Sequence, residues 1–123
     1  MARTLEIRWR GEPEDHSYPD AASYLSLVYD GPAATGLVRR LRRASVSHFK
    51  AKDIFRASGL SLLGISNARV KRDQKKIRQG KKLSPLLLVR DKAHGKVVIA
   101  DGYHRLCAVY SFDEDADIPC KIV

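Results

Sequence analysis

The chain has 123 residues, 44% of them hydrophobic, and a formal charge of +9. That length supports a single domain, residues 1–123, with a core that needs no covalent staples; the longest apolar run, Leu86–Val89, is far too short to span a bilayer. The positive excess points to an anionic partner, whether a nucleotide, a nucleic acid or an acidic surface.

Thr4–Arg10 (TLEIRWR) alternates as a strand does, with Leu5, Ile7 and Trp9 on one face. GEPEDHSYPD then reads as irregular chain, rich in proline and acids. Asp20–Tyr29 is a predicted helix with Ala22, Leu25 and Tyr29 on one side. Gly31-Pro32 opens a second helix that runs to about Arg43. Ala34, Leu37, Val38 and Leu41 give its apolar stripe, and Arg39, Arg40, Arg42 and Arg43 lie off it. Those arginines suit either a solvated face or phosphate contacts.

SVSHFKAKDIFRASGLSLLG carries too many large apolar residues to be a free tail, so it is expected to pack. A short helix from Lys52 to Ser58, ended by Gly59, is the regular element predicted there. Asn67–Gln79 is a helix, capped by Asn67 or Ser66 and ended by Gly80. Pro85–Asp91 and Lys96–Ala100 form two strands about a turn at Lys92–Gly95, and Leu86–Val89, apolar on both faces, reads as a central strand. A helix over Tyr103–Tyr110 and a closing strand over Ile118–Val123 complete an α+β fold. Cys107 and Cys120 make no disulfide framework, and no signal-peptide pattern precedes them. Reduced thiols in the cytoplasm are expected, with Cys107 a small core residue.

The chemistry concentrates where the second of the paired strands meets the last helix. Asp101 is a favoured helix N-cap, and Gly102 permits close approach to the backbone. First-turn N–H groups and the helix dipole attract phosphate. At about 100° per residue, Tyr103, Leu106, Cys107, Val109 and Tyr110 share an apolar face, while His104 and Arg105 flank a groove over the small Ala108. On the Asn67–Gln79 helix the same count puts Arg69, Arg72 and Lys76 on one narrow face, within about 60° of one another. Like charges at those spacings repel, and a shared anion relieves them.

The segment KKIRQGKKLSPLLLVRDKAHGKVVIADGYHRLCAVYSFDEDADIPCKIV resembles the ParB/sulfiredoxin superfamily. The shared pattern is a helix ending near a glycine, a Pro-led strand, a second strand running into a Gly-x-x-Arg helix start, and a closing Ile-Pro-apolar strand. The likeness covers about residues 66–123, leaving 1–65 as an N-terminal strand, two helices and the packed irregular segment. It implies that Gly102-Tyr103-His104-Arg105 binds nucleotide phosphates, in the style of the free serine kinases and of sulfiredoxin. It also implies a supporting basic stripe at Arg69, Arg72 and Lys76. Tyr103 stands where sulfiredoxin has its attacking cysteine, and a phenol cannot do that thiol chemistry, so sulfinic-acid repair is not expected. The ParB form has Arg-Arg where this chain has His104-Arg105. No helix-turn-helix follows, so a partition role by the usual route is not expected.

The leading expectation is therefore a nucleotide-binding domain of this type, acting as a small nucleotide-dependent phosphotransferase or hydrolase. Gly102, Tyr103, His104, Arg105, Arg69, Arg72 and Lys76 would hold the phosphates of a nucleoside di- or triphosphate (ATP, ADP or CTP class). Asp101 would orient a hydroxyl or Mg²⁺, with His104 also catalytic and Asp53 or Asp73 a general base. Lys50 and Lys52 would meet an acidic second substrate. Arg105→Ala is expected to remove binding and leave the fold intact. The alternatives are a basic nucleic-acid-binding module, DNA-binding or nuclease-like, and a non-catalytic adaptor.

Overall fold

A computed structural model of the chain describes residues 6–64 and 66–123. The fold is α+β, with five helices and a four-stranded mixed sheet among the described residues. In chain order these are α1 (Ser17–Val28), α2 (Gly31–Arg43), β1 (Ser47–Lys50), α3 (Ala51–Ser58), α4 (Ala68–Arg78), β2 (Leu86–Asp91), β3 (Lys96–Asp101), α5 (Tyr103–Phe112) and β4 (Asp117–Ile122). The strand order is β1-β4-β2-β3. β2 and β4 are parallel neighbours in the middle; β1 and β3 pair antiparallel at the two edges.

Local chemistry accounts for most helix ends. The Asp30 carboxylate accepts from the Ala33 N–H at 2.8 Å and caps α2, with Pro32 in its first turn. The Asn67 side chain accepts from the N–H groups of Arg69 and Val70 and caps α4. Gly59, at φ 68°, ends α3. Helix α1 begins at Ser17, three residues before the predicted start. Pro19 falls in its first turn, where no backbone N–H is needed, so it opens the helix instead of interrupting it.

Two N-terminal expectations change. Within the segment expected to be irregular, Ser47–Lys50 forms β1, paired residue for residue with Asp117–Cys120 of β4. The strand expected over Thr4–Arg10 is reduced, among the described residues, to one parallel bridge between Trp9 and Leu83, and Thr4 and Leu5 lie outside those residues. The Leu83 N–H donates to the Arg8 carbonyl, and the Arg10 N–H to that of Leu83, each at 2.8 Å. Among the described residues, the segment has no run of partners on which to extend further.

The sheet separates two cores. Leu86 and Leu88 point to the side covered by α3, α4 and α5, where they meet Ile54, Val70, Ile77, Leu106 and Val109. Leu87 and Val89 point to the other side, against Tyr18, Ala21 and Leu25 of α1 and Ala34, Val38 and Leu41 of α2. Period-two alternation thus buries all four consecutive residues of β2, as its double-sided apolarity requires. Lys121 of β4 is 4% exposed. Its ammonium donates to the Arg42 carbonyl at 3.0 Å and pairs with Glu12 at 3.1 Å, so it satisfies an otherwise open carbonyl in the last turn of α2. Among the described residues, no helix is long and apolar enough to cross a membrane.

Candidate functional site

Helices α4 and α5 pack side by side through Val70, Ile77, Leu106 and Val109. The Gln74 amide donates to the Ser111 hydroxyl at 2.8 Å, and that hydroxyl donates to the Ala108 carbonyl at 2.6 Å. This packing brings the exposed edge of α4 over the start of α5. The start of α1 closes a third side. The result is a cleft of about 320 Å³ lined by His16 and Asp20; by Arg69, Arg72, Asp73 and Lys76; and by Asp101, Gly102, His104 and Arg105. The two basic features that the sequence offers separately thus meet on one surface. Ala108, expected under a groove along α5, is fully buried. The opening therefore lies at the first turn of α5 and faces α4.

The junction differs in detail from its sequence reading. Gly102, not Asp101, is the N-cap of α5, at φ 107°, and no side chain of the described residues caps the first turn. The Asp101 carboxylate instead accepts from Arg105 Nη2 at 2.9 Å. One turn of helix separates the two, and their side chains are 14% and 16% exposed. Arg105 Nη2 also reaches the Pro85 carbonyl at 3.5 Å, and its buried Nε has no protein partner among the described residues. Arg105 is therefore part of the cleft wall and already holds a carboxylate. Removing it would strand Asp101, whose side chain is 14% exposed, without its cation, so Arg105→Ala is expected to cost the fold stability. The glycine requirement is also local: a Cβ on Gly102 would sit 2.7 Å from Leu86 Cγ and 2.9 Å from Arg105 Nη2.

Arg69, Arg72 and Lys76 are exposed and have no ion-pair partner among the described residues. They give the cleft its available positive charge. Asp73, one turn from each end of that stripe, is half-buried and likewise unpaired. Burial raises its carboxyl above the usual range despite the opposing pull of Arg105, Lys76, His104 and Arg72. Burial lowers the His104 imidazole, helped by Arg69 and Arg105, with Asp73 opposing. His104 is thus neutral near pH 7, and it sits beside a carboxylate of raised proton affinity. At the rim, His16 Nε2 lies 2.8 Å from Glu14 and Nδ1 3.3 Å from Asp20. The hydrogen bonds to Asp20 and Glu14 raise its imidazole.

Other sequence candidates lie outside the cleft. The Tyr103 hydroxyl donates to the Ser61 carbonyl, and its ring packs against the core under α5, so only its backbone stays at the helix start. Asp53 lines a separate apolar groove of about 230 Å³ with Phe49, Ile54 and Leu88, and lies 3.8 Å from Arg56. That placement removes it from the list of cleft bases. Lys52 pairs with Asp115 at 2.6 Å, and Lys50 sits on β1; neither lines the cleft. Cys107 and Cys120 are both free and buried, and burial pushes the Cys120 thiol up to about 12. His16 and Asp20 were missed because they precede α4 by some fifty residues, and no local signal ties them to it.

Comparison with protein-family models, with characterised proteins and with solved structures finds no match to this chain. Among the described residues, no three His, Cys, Asp or Glu side chains cluster closely enough to hold a metal ion by themselves. Asp73 is the one cleft carboxylate with neither an ion-pair nor a hydrogen-bond partner there, so it is the carboxylate free to face a ligand.

Proposed function

We propose that this cleft binds the phosphates of a nucleotide, and that the protein is a small nucleotide-dependent phosphotransferase or hydrolase. One observation carries the reading: three unpaired cations of α4 stand over the uncapped start of α5 in a single cleft. Phosphate oxygens would take the free N–H groups of the first turn and the charges of Arg69, Arg72 and Lys76. Phosphoryl transfer depends mainly on positioning and charge stabilisation, which such a cleft supplies. Asp73 is the candidate base. Its half-buried carboxylate would take the proton of an attacking hydroxyl as that oxygen bonds the terminal phosphorus and the nucleoside diphosphate departs. His104, neutral at rest, can receive or return a proton on the opposite wall. Mg²⁺ would arrive with the nucleotide, held by its phosphate oxygens and water, which leaves the Asp73 carboxylate free to take the proton. The resemblance to the ParB/sulfiredoxin superfamily agrees with this assignment, with the work of charge moved from Arg105 to α4.

The test is isothermal titration with ATP, ADP, CTP and pyrophosphate, with and without Mg²⁺, on the wild type and on R69Q/R72Q. Binding of one of these to the wild type, lost in the variant, supports the proposal. No heat with any of them at millimolar concentration overturns it. Binding without phosphate release or transfer would favour the adaptor reading.

A further inference from the structure

A second cationic surface lies at the other end of the β2–β3 hairpin. The cleft sits beside Asp101, which pairs with Leu87; at the far end, Asp91 pairs with Lys96. Six residues of strand, about 17 Å, separate the two ends. Helix α2 stands there as a ridge between two grooves. One groove, about 560 Å³, is lined by Leu37, Arg40, Arg90 and Lys92, among others. The other, about 280 Å³, holds Arg39 and Arg42. Counting about 100° per residue from the buried Ala34, Arg39 and Arg43 point straight out, while Arg42 and Arg40 take opposite flanks.

Arg39, Arg40, Arg42, Arg43, Arg90 and Lys92 are all exposed, and none has an ion-pair partner among the described residues. The negative end of the α2 dipole favours cations in its last turn, which accounts for part of Arg40, Arg42 and Arg43. It does not account for Arg39, nor for Arg90 and Lys92 from the hairpin. The nearest acid of the hairpin, Asp91, is engaged by His94 at 2.8 Å. The ridge is also held in place. Lys121 ties the Arg42 carbonyl to β4, and the Arg42 guanidinium lies 4.3 Å over the Tyr18 ring.

We infer that this ridge is a docking surface for duplex nucleic acid, bound through its phosphate backbone without regard to sequence. Charge complementarity selects a polyanion, and planar guanidinium groups suit phosphate. Among the described residues, the exposed large hydrophobic side chains are Tyr24, Leu27, Val28, Phe49, Leu60 and Leu62, and none is on α2. A protein partner would normally meet an aromatic or apolar centre, which this ridge lacks. A single strand would need aromatic rings on which to stack bases, and those are absent as well. Cations on both flanks and on the crest fit the closely spaced phosphates of a duplex.

The experiment is fluorescence anisotropy with a labelled mixed-sequence 20-base-pair DNA duplex from 50 to 200 mM salt, using the whole chain. About five phosphate contacts give a slope of log affinity on log salt near −4.5, and so a loss of roughly 500-fold across that range. R39Q/R40Q/R43Q should bring the slope to about −2, with an unchanged circular dichroism spectrum. R39K/R40K/R43K should keep the wild-type slope. R90Q/K92Q removes charge without touching α2 and should also flatten the slope, which keeps the test sound should the helix variant fold poorly. R69Q/R72Q, in the cleft, should leave duplex binding near wild type; equal or greater loss there would put the duplex in the cleft and overturn the inference. Absence of binding at 50 mM salt would overturn it outright. So would equal competition by polyglutamate at matched charge, or by unlabelled single strands, since either would name a different partner.

Discussion

Gly102→Ala probes the one backbone position on which the cleft is built. At φ 107°, an L-residue meets its own carbonyl, which costs about 1–2 kcal/mol. The new methyl would also lie 2.7 Å from Leu86 Cγ and 3.1 Å from Leu86 Cδ1. Leu86 is fully buried beneath α5 and cannot swing aside, so the overlap adds about 1–3 kcal/mol. Together these predict a loss of about 2–5 kcal/mol, or a fall in melting temperature on the order of 10 °C for a domain of this size. Gly59→Ala is the control. Its φ is 68° and nothing lies within 4 Å of its added Cβ, so only the conformational cost of about 1 kcal/mol applies. Urea denaturation of both variants reads the difference. If G102A costs no more than G59A, then Leu86 does not press on the junction and the account of why a glycine stands there is wrong. The methyl would also displace Arg105 Nη2, 2.9 Å away, so phosphate affinity should fall in G102A and not in G59A.

Arg105→Ala should destabilise the protein by about 2 kcal/mol, because it strands a carboxylate that is only 14% exposed; adding Asp101→Asn should restore much of that loss in the same urea assay. Asp73→Asn should raise the melting temperature at pH 7. The raised carboxyl of Asp73 stabilises the fold while protonated, and that contribution is lost as pH rises through its folded pKa, so the advantage of the amide should vanish below the ordinary carboxyl value of 3.8. If Asp73 is the base, the same variant should bind nucleotide at least as tightly and turn it over far more slowly. Imidazole titration by NMR should place His16 above 6.5 and His104 below it. His16 therefore adds stability below pH 6.5 that is lost as pH rises through its folded value, while stability falls as pH drops from 6.5 toward the folded value of His104. E14Q/D20N should return His16 toward 6.5, and coincident titration of the two rings would contradict both environments.

Elements whose ends carry their own chemistry were legible in the sequence. Asn67, Asp30 with Pro32, and Gly59 each satisfy backbone groups within four residues of themselves, and the helices they bound fall within a residue or two of expectation. β1 was not legible. Its four residues are exposed but for a partly buried first and show no apolar alternation, and they become a strand because Asp117–Cys120 lies beside them. The start of α1 was hidden by Pro19, which looks the same in a loop and in a first helical turn. The site divides the same way. The stripe of α4 and the crowded start of α5 are readable by helical counting, but His16 and Asp20 reach the cleft only through the tertiary fold. Asp101 was misread because two local rules compete for it. The preference of aspartate for an N-cap points one way, and an arginine four residues on points the other; the positive φ of Gly102 lets the glycine take the cap.

That outcome rearranges how the cleft uses its charges. A carboxylate at the cap would have occupied the same N–H groups that a phosphate needs. With Asp101 drawn back onto Arg105, those donors stay open, and the pair forms part of the cleft wall. Free positive charge must then come from elsewhere, and α4 supplies it from three residues that repel one another while the cleft is empty. On the proposed reading, an anion in the cleft would be stabilised twice, by its own contacts and by relief of that repulsion. Neutralising Arg69 and Arg72 therefore has opposite effects on the two states: the empty protein gains stability, and the loaded one loses its ligand. A structural stripe with no anion to hold would show the first effect alone.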